Sequence, residues 1–188
     1  MTGRSDRLQQ EFQIAIRWSA FPLHPEIPEE GLTLEQLFAG RNFDLNEVMA
    51  RLERAARDAG LPFTRRTMTY NSRPAQELSK WAETRGRGHD FHQAVFRAYF
   101  VAGKNIGKAD VLTGLVRDLG LPPEEARQVL ADRLFKEAVD ADWDRSRQIG
   151  ITAVPTFILE DKALVGAQPY EKLAALLETA GVRKRHEA

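Results

Sequence analysis

Apolar and polar residues alternate from Phe12 to Trp18, with Phe12, Ile14, Ile16 and Trp18 separated by Gln13, Ala15 and Arg17. A period of two places every second side chain on one face, which predicts a strand buried on one side. Pro22, Pro25 and Pro28 then predict an extended loop between Ala20 and Gly31, because proline disfavours helix at itself and at the preceding residue. From Asp44 the period lengthens. Leu45, Val48, Met49, Leu52 and Ala56 form one apolar stripe, with Asp44 as a cap and Gly60 as a stop, so the pattern predicts a helix. Leu61-Pro62-Phe63 reads as a short extended piece leading to Tyr70-Asn71-Ser72-Arg73.

Pro74 suits the first turn of a helix carrying Leu78, Trp81 and Ala82 and ending at Gly86 to Gly88. Further helices are predicted from His89 to Val101, from Asp110 to Leu119, and from Pro122-Pro123 onward. In the last of these, Glu124 and Glu125 sit at the positive end, and the pattern continues in one or two pieces to Gly150. Thr156 to Leu159 and Ala163 to Val165 read as two strands around a Glu160-Asp161-Lys162 turn, and Pro169 opens a final helix with Leu173, Leu176 and Leu177. The predicted order is strand, long helical block, hairpin, helix, with no internal repeat.

Composition narrows the chemistry. The chain has 188 residues, enough for one domain or a small α/β domain with a helical insertion. Lys plus Arg and Asp plus Glu each number 27, so no global positive field exists to attract a phosphate backbone, and nucleic acid is not expected as a partner. The basic run Arg183-Lys184-Arg185 is short and terminal and reads as a solvated tail. There is no cysteine, which removes disulfides, thiolate metal sites and cysteine nucleophiles. The opening residues hold no apolar run of signal-peptide length and no stretch suits a membrane span, so no membrane association and a cytoplasmic placement are expected. His24, His89, His92 and His186 are the four imidazoles; His89 and His92 flank Asp90 without a second ligand pair and read as helix-start polar residues, so no metal and no cofactor is expected. Trp81, Phe91, Phe96, Tyr99 and Phe100 fall at helical spacing and read as core.

The most specific text is Gly150-Ile151-Thr152-Ala153-Val154-Pro155-Thr156-Phe157, followed by Val165-Gly166-Ala167-Gln168-Pro169. A proline opening a strand has an ordinary explanation, since it needs no amide partner there. A long helix ending in glycine, then Val-Pro-Thr-Phe, a hairpin and a terminal helix resembles the C-terminal half of the DsbA-type thioredoxin fold. Gly166-Ala167-Gln168-Pro169 and the early segment Trp18-Ser19-Ala20-Phe21-Pro22-Leu23-His24-Pro25 are similar to its FrnE-like branch. The resemblance runs from about Phe12 to Gly181.

It implies an α/β, thioredoxin-like fold with an inserted all-helical domain. Residues 12–43 would be the N-terminal part, 44–149 the helical insertion and connecting helix, and 150–181 the C-terminal part, with 1–11 and 182–188 as tails. It also implies a cis Val154-Pro155 bond and a binding edge at Val154, Pro155 and Thr156. There Val154 would offer backbone groups to an extended peptide or a small thiol-type ligand. The Gly166, Ala167 and Gln168 loop would border that edge, and His24 would lie on the ligand side or be a satisfied loop histidine. Asn71-Ser72-Arg73 is similar to text in 2-hydroxychromene-2-carboxylate isomerases and kappa-class glutathione transferases. Asn71 therefore reads first as a turn and cap residue and second as a substrate contact.

Members of this family carry a first strand and a Cys-x-x-Cys pair at a helix N-terminus, where the dipole favours thiolate. Here both cysteines and the strand are missing, eleven residues precede Phe12, and Ser5 reads as a surface residue. A start assigned too far downstream and a true loss of the motif are both open, the first favoured because the strand is central. The expected function is that of a DsbA/FrnE-like oxidoreductase relative, inactive in thiol–disulfide exchange as written and with no catalytic residue. The alternatives are a non-redox peptide-binding or chaperone-like module, or a glutathione-dependent isomerase relative. Phe12–Trp18 moving beside the hairpin, or a homodimer, would cover the gap.

Overall fold

The computed structural model describes residues 2–40, 44–58 and 60–185; His186 lies outside them. In chain order the elements are α1 (Thr2–Glu11), β1 (Leu32–Thr33), α2 (Leu34–Leu37), α3 (Leu45–Asp58), β2 (Met68–Thr69), α4 (Arg73–Thr84) and α5 (Gly88–Phe100). There follow α6 (Ala109–Asp118), α7 (Pro123–Ala131), α8 (Lys136–Gln148), β3 (Thr156–Leu159), β4 (Lys162–Val165) and α9 (Tyr170–Thr179). They divide into two compact units, one of Met1–Leu23 with Asp142–Ala188 and one of His24–Ala141. The boundaries fall earlier than the sequence pattern placed them, at 23/24 and 141/142 instead of 43/44 and 149/150. The first shift has a local cause: the proline loop belongs with the helices, where Ile27 C=O accepts from Asn71 Nδ2 at 2.9 Å and β1 pairs antiparallel with β2.

In the helical unit, α4 to α7 enclose one apolar core. Leu78, Trp81, Phe91, Leu112 and Val116 are all but fully buried, each contributing about 1.5–3 kcal/mol where large and apolar. Two of the polar groups taken into this core are answered. Trp81 Nε1 donates to Glu125 at 2.9 Å, and the buried Glu77 carboxylate accepts from Arg73 Nε and Arg133 Nη2, both at 2.6 Å. Phe96, expected as core, is partly exposed. The short elements β1, α2 and β2 have no periodic signal in the sequence. Thr33 caps α2 by accepting from Gln36 N at 3.0 Å while the Gln36 side chain accepts from Thr33 N, a capping box.

The other unit is built on Leu8, Phe12, Leu173 and Leu177, against which Phe157, Leu159 and Leu164 of the hairpin pack. Three expectations are corrected here. Residues 2–11 are not a tail but helix α1, and Ser5 is buried rather than on the surface, because α1 lays Leu8 and Phe12 onto α9. Phe12–Trp18 is not a strand with a ladder. Its burial alternates along the chain as predicted, yet among the described residues its bridge joins Phe12 to Lys184 and not to the hairpin. Arg183–Arg185 is solvated, with Arg183 and Arg185 exposed, but is not a free tail: Gln13 N donates to Arg183 O at 2.9 Å, and Arg185 Nε donates to the Gln9 and Phe12 carbonyls at 2.8 and 3.0 Å. These carbonyls at and beyond the end of α1 need donors, and the basic segment supplies them.

Gly31 tests the β1–β2 corner. It holds φ +86°, and a Cβ there would stand 2.4 Å from Thr69 O. Gly31→Ala should lower unfolding free energy by about 2 kcal/mol or more in urea titration. Gly120→Ala, at φ +72° with nothing within 4 Å, should cost clearly less.

Candidate functional site

Helix α8 stops at Gly150, whose φ of +72° turns the chain, and Ile151 N donates back to Ser146 O at 2.9 Å. The following loop is braced by Thr156 Oγ1 donating to Ala153 O at 2.7 Å. The Val154–Pro155 peptide bond is cis. From Thr156 the chain enters a hairpin in which Thr156 faces Val165, Phe157 faces Leu164, Ile158 faces Ala163 and Leu159 faces Lys162. Glu160 takes φ +56° in the two-residue turn.

Gly166 N donates to Pro155 O at 2.7 Å, which marks that pair as a hydrogen-bonded position of the ladder. Alternation then directs the backbone groups of Phe157 and Leu159 toward β4, and those of Thr156 and Ile158 toward the opposite edge. No strand pairs with that edge among the described residues. Val154 is exposed, and no hydrogen bond engages its backbone among the described residues. Ile158 and Val165 are exposed at 46% and 54%, so the outward face beside this edge is apolar.

Of the residues singled out in the sequence, Val154, Pro155, Thr156, Gly166, Ala167 and Gln168 therefore lie together around one end of the hairpin. Gln168 closes its own loop: its N–H reaches Gly166 O at 2.9 Å, its Nε2 donates to Val165 O, and its carbonyl accepts from Arg4 Nη1 at 3.1 Å. Asn71 and His24 belong to the other unit. Asn71 Oδ1 accepts from Arg73 N at 2.8 Å and its Nδ2 donates to Ile27 O, so both ends of the amide serve the turn and the start of α4. His24 Nδ1 lies 3.4 Å from Glu26, and its ring meets Phe38 edge-on. Among the described residues no group of three or more metal-ligating side chains assembles. Burial, with the neighbouring His89 second, pushes the His92 imidazole down to about 4, so it is neutral near pH 7.

Two further arrangements in the unit that holds the hairpin escaped the sequence. The Tyr170 hydroxyl donates to Glu11, Arg7 Nε donates to the same carboxylate at 2.7 Å, and the Arg7 guanidinium lies 3.8 Å from the Tyr170 ring centroid. Desolvation first, and the bond to Glu11 second, push Tyr170 up to about 12. The same bond, followed by Arg7, holds the Glu11 carboxyl below its ordinary value. The second is the buried Asp142, whose Oδ2 accepts from Ala20 N at 2.8 Å and holds the far end of the extended segment. Arg7 and Glu11 at i, i+4 were a legible helix pair; Tyr170 and Ala20 are too distant in sequence to announce themselves.

A thioredoxin-type hairpin, a proline loop before it and a long helical insertion frame the comparison with known proteins. Residues 2–178 match the DSBA-like thioredoxin domain. The chain belongs to this DsbA-like family. The DsbA-like chain is 33% identical over 88 residues to the uncharacterized protein YwbO of Bacillus subtilis (strain 168), a match covering 46% of the chain and 44% of that protein. A probable DsbA oxidoreductase from Streptomyces coelicolor superposes with a TM-score of 0.76 at 28% identity, over 88% of this chain and 75% of that one. A 2-hydroxychromene-2-carboxylate isomerase superposes with a TM-score of 0.71 at 19% identity, over 96% and 86%, which shows a shared fold. The DsbA-like chain has no cysteine, so none of its own side chains can exchange disulfides. No helix among the described residues is long and apolar enough to cross a membrane.

The Tyr170 cluster sets a pH dependence. With its folded pKa raised from 10 to about 12, Tyr170 contributes stability that is fully present below pH 10 and lost as pH rises through 12. Ultraviolet difference titration should show one tyrosine ionising near 12. Tyr170→Phe should remove the late transition.

Proposed function

We propose that this chain is the substrate-receiving part of a DsbA-type protein. In this reading Val154, Pro155 and Thr156 and the unpaired edge of β3 accept an extended peptide by strand addition, without thiol chemistry from the chain's own residues. The observation that carries it is the conjunction at one place of an exposed, backbone-unengaged Val154, an edge with no strand partner and an exposed apolar face at Ile158 and Val165. Backbone amides along such an edge give affinity to any extended chain, and alternate apolar side chains give preference. Gly166, Ala167 and Gln168 border the site in this reading.

Asn71 and His24 are left with positioning roles, since the Asn71 amide is already engaged at both ends. Membership of a family with oxidoreductases supports a thiol-bearing or disulfide-bearing peptide as the natural substrate class, with the exchange itself needing cysteines that these 188 residues do not hold.

A labelled, cysteine-free peptide of alternating apolar residues should bind saturably in fluorescence anisotropy. Ile158→Asp should weaken that binding by about tenfold, because it sets a charge on the apolar face. N-methylation of alternate peptide amides should abolish it. Binding indifferent to both changes would sink strand addition. In insulin reduction the purified chain should not exceed the uncatalysed rate; measurable turnover would overturn the non-redox reading.

The same open edge supports a homodimer formed edge to edge. Light scattering during size exclusion should then give twice the chain mass, and a clean, folded monomer would end that reading. A cytoplasmic location completes the proposal, tested by cell fractionation.

A further inference from the structure

Arg65 and Arg66 sit side by side in the segment leading into β2, and the fold treats them differently. Arg65 Nε reaches Glu53 at 3.3 Å and its Nη2 donates to Asn46 O at 3.4 Å, so its charge is answered within the chain. Arg66 is half-buried, and no carboxylate stands within ion-pair distance of it among the described residues. Its guanidinium carbon lies 4.5 Å from the Tyr99 ring centroid and 5.3 Å from that of Phe100. Its Nη1 donates to the Tyr99 hydroxyl and, at 3.3 Å, to Met68 O. Its Nε is buried with no acceptor.

A cation withdrawn from water normally takes a counter-charge with it, because desolvation costs several kcal/mol per ion. Aromatic faces return only about 0.5–2 kcal/mol of that. A buried guanidinium N–H without an acceptor adds to the deficit. Half of an ion pair is therefore built into the fold and the other half is missing.

The same arginine lines a cavity of about 210 Å³, bordered also by Thr64, Arg65, Thr67, Tyr70, Tyr99 and Gly103. The cavity is fixed by structure on several sides. Thr64 N donates to Phe100 O at 3.1 Å, the Tyr99 hydroxyl lies 3.0 Å from Thr69 Oγ1, and the Tyr70 and Tyr99 rings meet edge to face at 6.3 Å.

The geometry points to a binding site for the carboxylate or phosphate group of a small organic anion. The oxyanion supplies the counter-charge that Arg66 lacks and offers acceptors to the donors left over on its guanidinium. The fork of guanidinium N–H groups suits planar carboxylate and tetrahedral phosphate alike. Hydroxyls of Thr64 and Thr67 and the phenol of Tyr70 are the further donors around the cavity. Its volume admits a compact anion, about the size of one substituted ring.

The test titrates the full chain with sodium benzoate and, separately, with inorganic phosphate, each at constant ionic strength against sodium chloride, while following the arginine Nε–H signals by NMR. The Arg66 signal should move and saturate with at least one probe, and the signal of Arg127, which pairs with Glu124 outside the cavity lining, should not. Saturation by benzoate alone assigns a carboxylate ligand, and saturation by phosphate alone a phosphorylated one. Arg66→Met should weaken saturation by about tenfold or more, as loss of a charge-assisted donor set requires, while Arg127→Met, outside the cavity lining, keeps it. No saturable movement of the Arg66 signal beyond that caused by chloride overturns the site, as does binding that survives Arg66→Met. Should Arg66→Met fail to fold, the wild-type Arg66 signal decides alone.

Discussion

The hairpin is held in place by its contact with α1 and α9, and the candidate site depends on that contact. Phe157 and Leu159 from β3 and Leu164 from β4 turn inward onto Leu8, Phe12, Leu173 and Leu177. A two-stranded hairpin alone is marginal in water, so this apolar seat lets β3 persist with one edge unpaired. Because side chains alternate along a strand, burying one face presents the other. Ile158 and Val165 are exposed as a direct consequence of Phe157 and Leu164 being inside.

The polar framework follows the same economy. Where backbone groups leave regular structure, nearby side chains answer them. Arg185 serves carbonyls near the end of α1, Asp142 serves Ala20, and Thr156 serves the loop before the hairpin. In the helical unit Glu77 is buried because two arginines reach it, and Asn71 joins the proline loop to the start of α4. Against this background Val154 and Arg66 stand out as places where backbone or charge is left over. Both readings of function rest on such surplus, one of hydrogen-bonding edge and one of positive charge.

Absence of cysteine separates family from chemistry. The DsbA-like fold supplies a cis-proline loop and a hairpin edge with no strand partner among the described residues, while exchange needs a thiolate that no residue of this chain can provide. Family membership and fold therefore carry over, while the thiolate for exchange is not among these 188 residues.

By itself, the sequence determined α3 to α9, both hairpin strands and the Val-Pro-Thr-Phe signature, because each rests on a short-range period, a glycine stop or a proline start. The apolar residues of α4 and α5 were legible as core for the same reason, except Phe96. Tertiary structure alone decided the rest. The alternation of Phe12–Trp18 predicted its burial correctly but not its partner, since a strand is defined by a neighbour that periodicity does not contain. Helix α1 carried too weak an apolar stripe to be read without α9 beneath it, and β1 and β2 are too short to show a period. The Tyr170–Glu11 bond, the Asp142 clamp and the unanswered Arg66 join or separate residues far apart along the chain. Whether a charge finds its counter-charge is settled by packing in three dimensions, where local pattern has no reach.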